Sequence, residues 1–219
     1  MTNQSDGIKP FEIAVYFKEA LPNISREQID AVLTAYCEHW RTHHNLNLIL
    51  RTIKSARTHF KSECAEEEWH ALLIMILYQY VVHKVGENSI ENERASAEWA
   101  AEVLSKINPP NLFTPWVWAG INATRTHTLA GVHPQYQKCT SMLIDLSLEG
   151  LGLPADMFAQ NTESIWQESQ PILTRREFNR GRRSWAKSFL DRPKIFYTAN
   201  FFGLYETQAR LNLTKLWEA

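Results

Sequence analysis

Glycine, proline and cysteine are all scarce in this chain, and each shortage closes off a class of structure. Eight glycines and nine prolines in 219 residues leave few turn signals, and short alternating apolar–polar runs of the kind that strands require are missing. Three cysteines, Cys37, Cys64 and Cys139, are far apart, odd in number and in no CxxC pair. Neither a disulfide framework nor a thiolate metal site is expected, and reduced thiols suit a cytoplasmic protein. Charge of one sign is also lacking: the formal net charge is -1, which gives no overall attraction to nucleic acid or an anionic membrane. The start, MTNQSDGIKP, has no basic stretch followed by an apolar run, so no secretory signal is read there. The most apolar run, WHALLIMILYQYVV over residues 69–82, has about a dozen strongly apolar residues where a membrane span needs roughly 20. GxGxxG, GxxxxGK(S/T), GxSxG and HExxH are all absent, so no nucleotide loop, nucleophile elbow or zincin helix is present.

What is there reads as helix. Hydrophobic residues make up 44% and charged residues 21%, ordinary for a globular protein long enough to bury a real core. Run 69–82 is apolar on every face of a helical wheel and predicts a helix buried all round, interrupted by polar Gln79 and Tyr80. Ser25 with Gln28 forms a capping-box pattern opening a helix toward His44. Amphipathic periodicity predicts a helix over 46–60, and the acidic turn at 66–68 suits the positive end of the buried helix. Helix-favouring composition restarts near Ser89 and runs until Asn108-Pro109-Pro110. Further helices are expected over 114–125, 136–149, 154–168, 175–190 and 200–217. The chain is therefore read as all-α, with one domain of about eight to ten helices over 25–219 and an N-terminal extension over 1–24.

Four polar clusters could carry chemistry. His39 and His43 are four apart, a spacing that presents two imidazoles on one helix face, but no third ligand is near, and a polar surface or capping role is favoured over a metal pair. Glu93 and Ser96 share a face beside Asn92, which by themselves make a charged helix start. His127 closes NATRTH and, alone, reads as a hydrogen-bonded structural histidine. Residues 174–194 carry eight basic side chains interleaved with Phe178, Trp185 and Phe189. Glu177 and Asp191 interrupt them, so a solvated helix face or a local anion pocket is favoured over an RNA surface.

In order and in kind these segments resemble the predicted metal-dependent HD-superfamily phosphohydrolases. AYCEHWRTHHNLNLI is similar to that family's opening helix, ENERASA to its Asn-Glu-Glu-x-Ser-Ala helix start, and NATRTH to an Ala-Thr-x-x-His stretch. FNRGRRSWAKSFLDRPKIFYT followed by ETQARLNL resembles its C-terminal signature. The resemblance implies an HD-like helical bundle whose divalent metal would be held by a His, an adjacent His-Asp pair and a later Asp, lowering the pKa of a bound water for attack on phosphorus.

At those positions this chain has Leu48, Gln79, Tyr80 and Ser147, the last reached when IDLSLEGLG is laid on the late motif with Asp145 at its first Asp. The family's Ile-Arg-x-Glu-Tyr falls on Ile165-Trp166-Gln167-Glu168-Ser169. The resemblance thus implies a scaffold without its metal ligands and no cofactor. Loss of several ligands together is physically coherent, because an unpaired buried Asp or His would cost several kcal/mol. His44, Glu93, His127, Asp145, Arg182 and Arg210 remain as ligand-binding candidates for a nucleotide or another phosphorylated small molecule. A homodimer or protein partner is also open, from the abundance of Trp and Phe. The alternative is an active phosphohydrolase using a rearranged metal set such as His44, His83, His127 and Asp145, or metal-free acid–base catalysis by His44, Glu93 or His127.

Overall fold

The computed structural model describes residues 8–85, 89–107 and 113–219. The helix stop expected at Asn108-Pro109-Pro110 lies outside them. Ten α-helices and no strands are found among the described residues: α1 (Ile8–Ala20), α2 (Arg26–Tyr36), α3 (Leu46–His59), α4 (Glu66–Tyr78), α5 (Ser89–Ile107), α6 (Phe113–Ala123), α7 (Pro134–Leu148), α8 (Ala155–Ser169), α9 (Arg175–Leu190) and α10 (Ala199–Glu218). No described helix is long and apolar enough to cross a membrane.

Helix α4 is the axis of the fold. Every residue from Ala71 to Tyr78 is buried, and α1, α3, α5, α6 and α7 all pack on it. The three glutamates before Trp69 form its first turn rather than a separate loop, with Glu68 reaching back to the Ala65 N–H. Helix α2 opens on the expected capping box, in which Ser25 and Gln28 each accept from the other's backbone N–H.

Within the stretch 1–24, read as an N-terminal extension, the described residues include helix α1. Ile13, Tyr16, Phe17 and Ala20 repeat at i, i+3, i+4 and i+7 and are buried, so α1 contributes one wall of the core against α3 and α4. Pro10 lies in its first turn, where a proline forfeits no intrahelical bond. Helix α2 also stops at Tyr36 instead of running toward His44, with Cys37 N–H turning back to Leu33 and Thr34.

Below the long helices, a short 3₁₀ turn over Glu149–Gly152 joins α7 to α8 and packs against α10. A Cβ at Gly152 would overlap the Cβ and ring of Tyr205, which a helix backbone cannot easily move aside. Gly152→Ala is expected to lose about 1–3 kcal/mol of stability through overpacking, read from the urea midpoint. An unchanged midpoint would mean that α10 shifts freely on this turn.

Candidate functional site

The site grows from the C-terminal end of α4. Its last carbonyls would be left without donors inside the core, and two residues from the α2 end supply them. Tyr36 donates its hydroxyl to Leu77 O at 3.1 Å and accepts from Tyr80 N at 3.2 Å. Arg41, 5% exposed, donates to Tyr80 O at 2.6 Å and Val81 O at 3.0 Å, a cation where the helix dipole favours one. This is why α4 ends at Tyr78 and not at Val82. The chain beyond it is clamped onto α5. Asn92 exchanges two 2.9 Å bonds with the Lys84 backbone, and Ser96 brackets Val82. The charged start of α5 thus fixes the segment that carries His83.

Residues 37–45 form a turn rather than a helix, so His39 and His43 share no helix face and the metal pair considered for them does not form. His39 is exposed. The turn is tied to α8 by Glu168, 2% exposed. Its Oε1 accepts the backbone N–H of His43 at 2.7 Å and of His44 at 2.8 Å, and its Oε2 lies 2.6 Å from His44 Nδ1 and 3.5 Å from His83 Nε2. Although burial opposes charge, these donors, led by the His44 side chain, hold the Glu168 carboxyl well below its usual range. Burial, with His83 adding to it, pushes the His44 imidazole down to about 4. Both directions describe an ionised carboxylate accepting from a neutral ring, which leaves His44 Nε2 as a base. Rings of His44 and His83 are 4.1 Å apart, and His83 stacks on Trp40.

His44 and His83 border a cavity of about 350 Å³ between α5, α7, α8 and α9 and the turns after α2, α4 and α6. An adjoining cavity of about 190 Å³ shares the walls made by His43, Gln79, Tyr80 and Ser147. Gln79, 1% exposed, has neither amide atom hydrogen-bonded by the protein. Glu93 Oε2 and Arg182 Nε are likewise buried without a partner. Burial pushes the Glu93 carboxyl upward and the Arg182 guanidinium down to about 10. The Arg182 guanidinium rests over the Trp185 ring at 4.1 Å, which orients it from below.

His44, Glu93, His127 and Arg182 therefore face one cavity as a group. His127 sits at φ 50°, in the left-handed region, where a histidine is less strained than most residues. Its carbonyl accepts from Arg192 at 2.7 Å, and burial followed by the Arg192 charge lowers its imidazole to about 3.

Asp145 and Arg210 do not join the group, and both assignments are corrected. Asp145 is fully buried within α7 and accepts three 2.7 Å bonds, from Tyr197 N, Thr198 N and the Thr198 hydroxyl, so it holds the start of α10. Arg210 spends its fork on Glu206, Leu190 O and Arg192 O, while Glu206 accepts from the N–H groups of Ile195 and Phe196. Half of the eight basic residues in the segment 174–194 are also engaged, Lys194 with the Tyr197 carbonyl. Arg175 pairs with Glu163, Lys187 with Asp191, and Arg192 binds the carbonyls of Thr126 and His127. Arg182 alone of its charges lines the cavity.

Glu168, the hub of the site, was not among the candidate residues. Its only sequence signal is the match to the Glu of the Ile-Arg-x-Glu-Tyr stretch. Arg41 carried no signal at all.

Leu48, Gln79, Tyr80 and Ser147, the positions of the expected metal ligands, all line the smaller cavity. As a donor set they do not fit a divalent metal. Leu48 has no donor atom, Gln79 offers only a neutral amide, and the Ser147 hydroxyl bonds Ile144 O at 2.7 Å. Burial, and then nearby Glu93, raise the Tyr80 phenol away from ionisation. A different ring of donors exists nearby: one ligand atom each from His44, His83 and Glu168 lie within 4.8 Å of one another.

Fold and site together define, over the described residues, an all-helical protein with two adjoining cavities bordered by polar side chains. The chain matches no family model, no curated protein and no solved structure at a level that shows relatedness.

Proposed function

We propose that this chain is a catalytically degenerate HD-like protein, retaining the helical scaffold and part of a pocket that binds a nucleotide or another phosphorylated small molecule. The observation that carries this reading is the convergence of Leu48, Gln79, Tyr80 and Ser147 around one cavity without a metal-binding donor set. Arg182 enters the adjoining space with a buried, unpartnered Nε, which an anionic group would satisfy by a charge-assisted bond. A protein partner acting through the scaffold is the form this reading takes if no small molecule binds.

A second reading is favoured by the donor ring. His44, His83 and Glu168 have the composition of a two-histidine, one-carboxylate metal site. If they held a divalent ion, it would supply a Lewis acid or an activated water for phosphoester hydrolysis. That set replaces the His44, His83, His127 and Asp145 combination, since Asp145 is committed to α10.

Metal analysis by mass spectrometry on the purified protein, paired with nucleotide hydrolysis assays in added Mn²⁺, Co²⁺ or Ni²⁺, separates the two. No tightly held metal and no turnover are expected. Stoichiometric metal that is lost in His83→Ala would establish the second reading instead. In parallel, thermal shift over a nucleotide panel should show stabilisation that Arg182→Ala abolishes; binding at one hundred times Kd corresponds to about 2.7 kcal/mol.

A further inference from the structure

Among the buried side-chain polar groups without a protein partner, Gln79, Glu93 and Arg182 stand apart because they line the same cavity. Gln79 is the most demanding of the three. It follows a helix in which the eight preceding residues are buried and, but for the Tyr78 hydroxyl, apolar, and leaving a carboxamide unpaired in such a place is unfavourable. Both its nitrogen and its oxygen lack partners, so either orientation of the amide leaves one donor and one acceptor to be matched. Leu48 and Ser147 do not match it, and Ser147 donates within its own helix. A metal would engage the oxygen and leave the NH₂ group unmet.

We infer that the cavity takes a nucleobase-bearing phosphate whose ring edge pairs with the Gln79 carboxamide, with the phosphate toward Arg182. A carboxamide recognises an acceptor atom beside an N–H, the arrangement on the Watson–Crick edges of adenine, hypoxanthine and uracil, and glutamine is a common bidentate partner for such edges. Division of charge across the cavity agrees. Arg182 and Arg125 are the cations that line the cavity, whereas Gln79 is neutral and Glu93 Oε2 is buried without a protein partner. A sugar phosphate or inorganic phosphate would satisfy Arg182 but leave the Gln79 carboxamide to water. This inference rests on the small-molecule reading proposed above and narrows its ligand.

Calorimetric titration of the full chain with uridine, inosine and adenosine monophosphates tests it, beside counterparts methylated on the edge nitrogen, ribose phosphate and inorganic phosphate. At least one nucleotide is expected to bind, with its methylated counterpart and ribose phosphate weaker by about tenfold or more, the loss of one good hydrogen-bonded pair. Gln79→Leu should weaken the nucleotide to a similar degree and leave ribose phosphate unchanged. Equal binding of the methylated form would overturn the role of Gln79, and the comparison is made on the unaltered protein, so it stands even if the variant fails to fold. Ribose phosphate binding as tightly as any nucleotide would also overturn it, while leaving a phosphate pocket. No binding by any of these compounds would remove both this inference and the small-molecule reading beneath it.

Discussion

Replacing Glu168 by alanine is expected to cost on the order of 3–5 kcal/mol, the range for removing one partner from a buried charged network. The substitution strands the backbone N–H groups of His43 and His44 and frees the side chains of His44 and His83. Loop 37–45 then keeps only the Thr42 hydroxyl's bond to Ser164 O as a hydrogen-bonded tie to α8, and the placement of Arg41, which ends α4 from the same loop, is weakened. Glu168→Gln should cost less, because an amide oxygen still accepts from the two N–H groups while its NH₂ meets the His44 nitrogen. Urea denaturation at pH 7 gives both values. The sign follows from the depressed folded pKa of Glu168: its contribution is fully present above the unfolded value near 4.5 and is lost as pH falls toward the folded one. A loss below about 1 kcal/mol for the alanine variant, as for an ordinary exposed pair, would show that something else holds the turn. The glutamate would then be free for a ligand role.

Glu168 also marks where sequence reasoning stops. Apolar periodicity made several helices legible: 175–190 coincides with α9, and 46–60 ends one residue beyond α3. Helix α4 was readable as the centre because its residues are apolar all round. Its end was not, since that depends on Tyr36 and Arg41 arriving from about 40 residues away. Charged residues misled for a related reason. Asp145 and Arg210 look from sequence like ligands for a cation and an anion, but Asp145 holds Tyr197 and Thr198 before α10, and Arg210 holds Glu206 and the Leu190 and Arg192 carbonyls. Glu93, His127 and Arg182 sit on three separate elements that only the packing of α5, α6 and α9 brings to one cavity. In Gln79 the clue was present in one dimension: a polar residue at the end of a fully apolar helix has to be answered by something, and no protein group answers it.

Acid should destabilise the protein well before its carboxylates titrate. His43, His44 and His127 are held neutral, at about 3, 4 and 3, against an ordinary 6.5, and burial is the leading cause for each. A folded pKa below the unfolded one means that the unfolded chain binds more protons between about pH 4 and 6.5. Stability is therefore fully kept above pH 6.5 and falls as pH is lowered through that window. Each independent group can contribute at most about 2 kcal/mol of loss by pH 5. Glu93 acts with the opposite sign. Its carboxyl is raised, so its share of stability is present below 4.5 and lost as pH rises, which flattens the slope without reversing it. Against a typical total of 5–15 kcal/mol, a drop of a few kcal/mol between pH 7 and pH 5 is expected in urea titrations, ahead of any contribution from Glu168. His127→Gln should flatten the slope by the share of one group, since its ring lies beside Phe189 and is not bonded to Glu168. A level profile from pH 7 to pH 5 would mean that these imidazoles are hydrated in the folded chain, and the cavity they border would then be open to water.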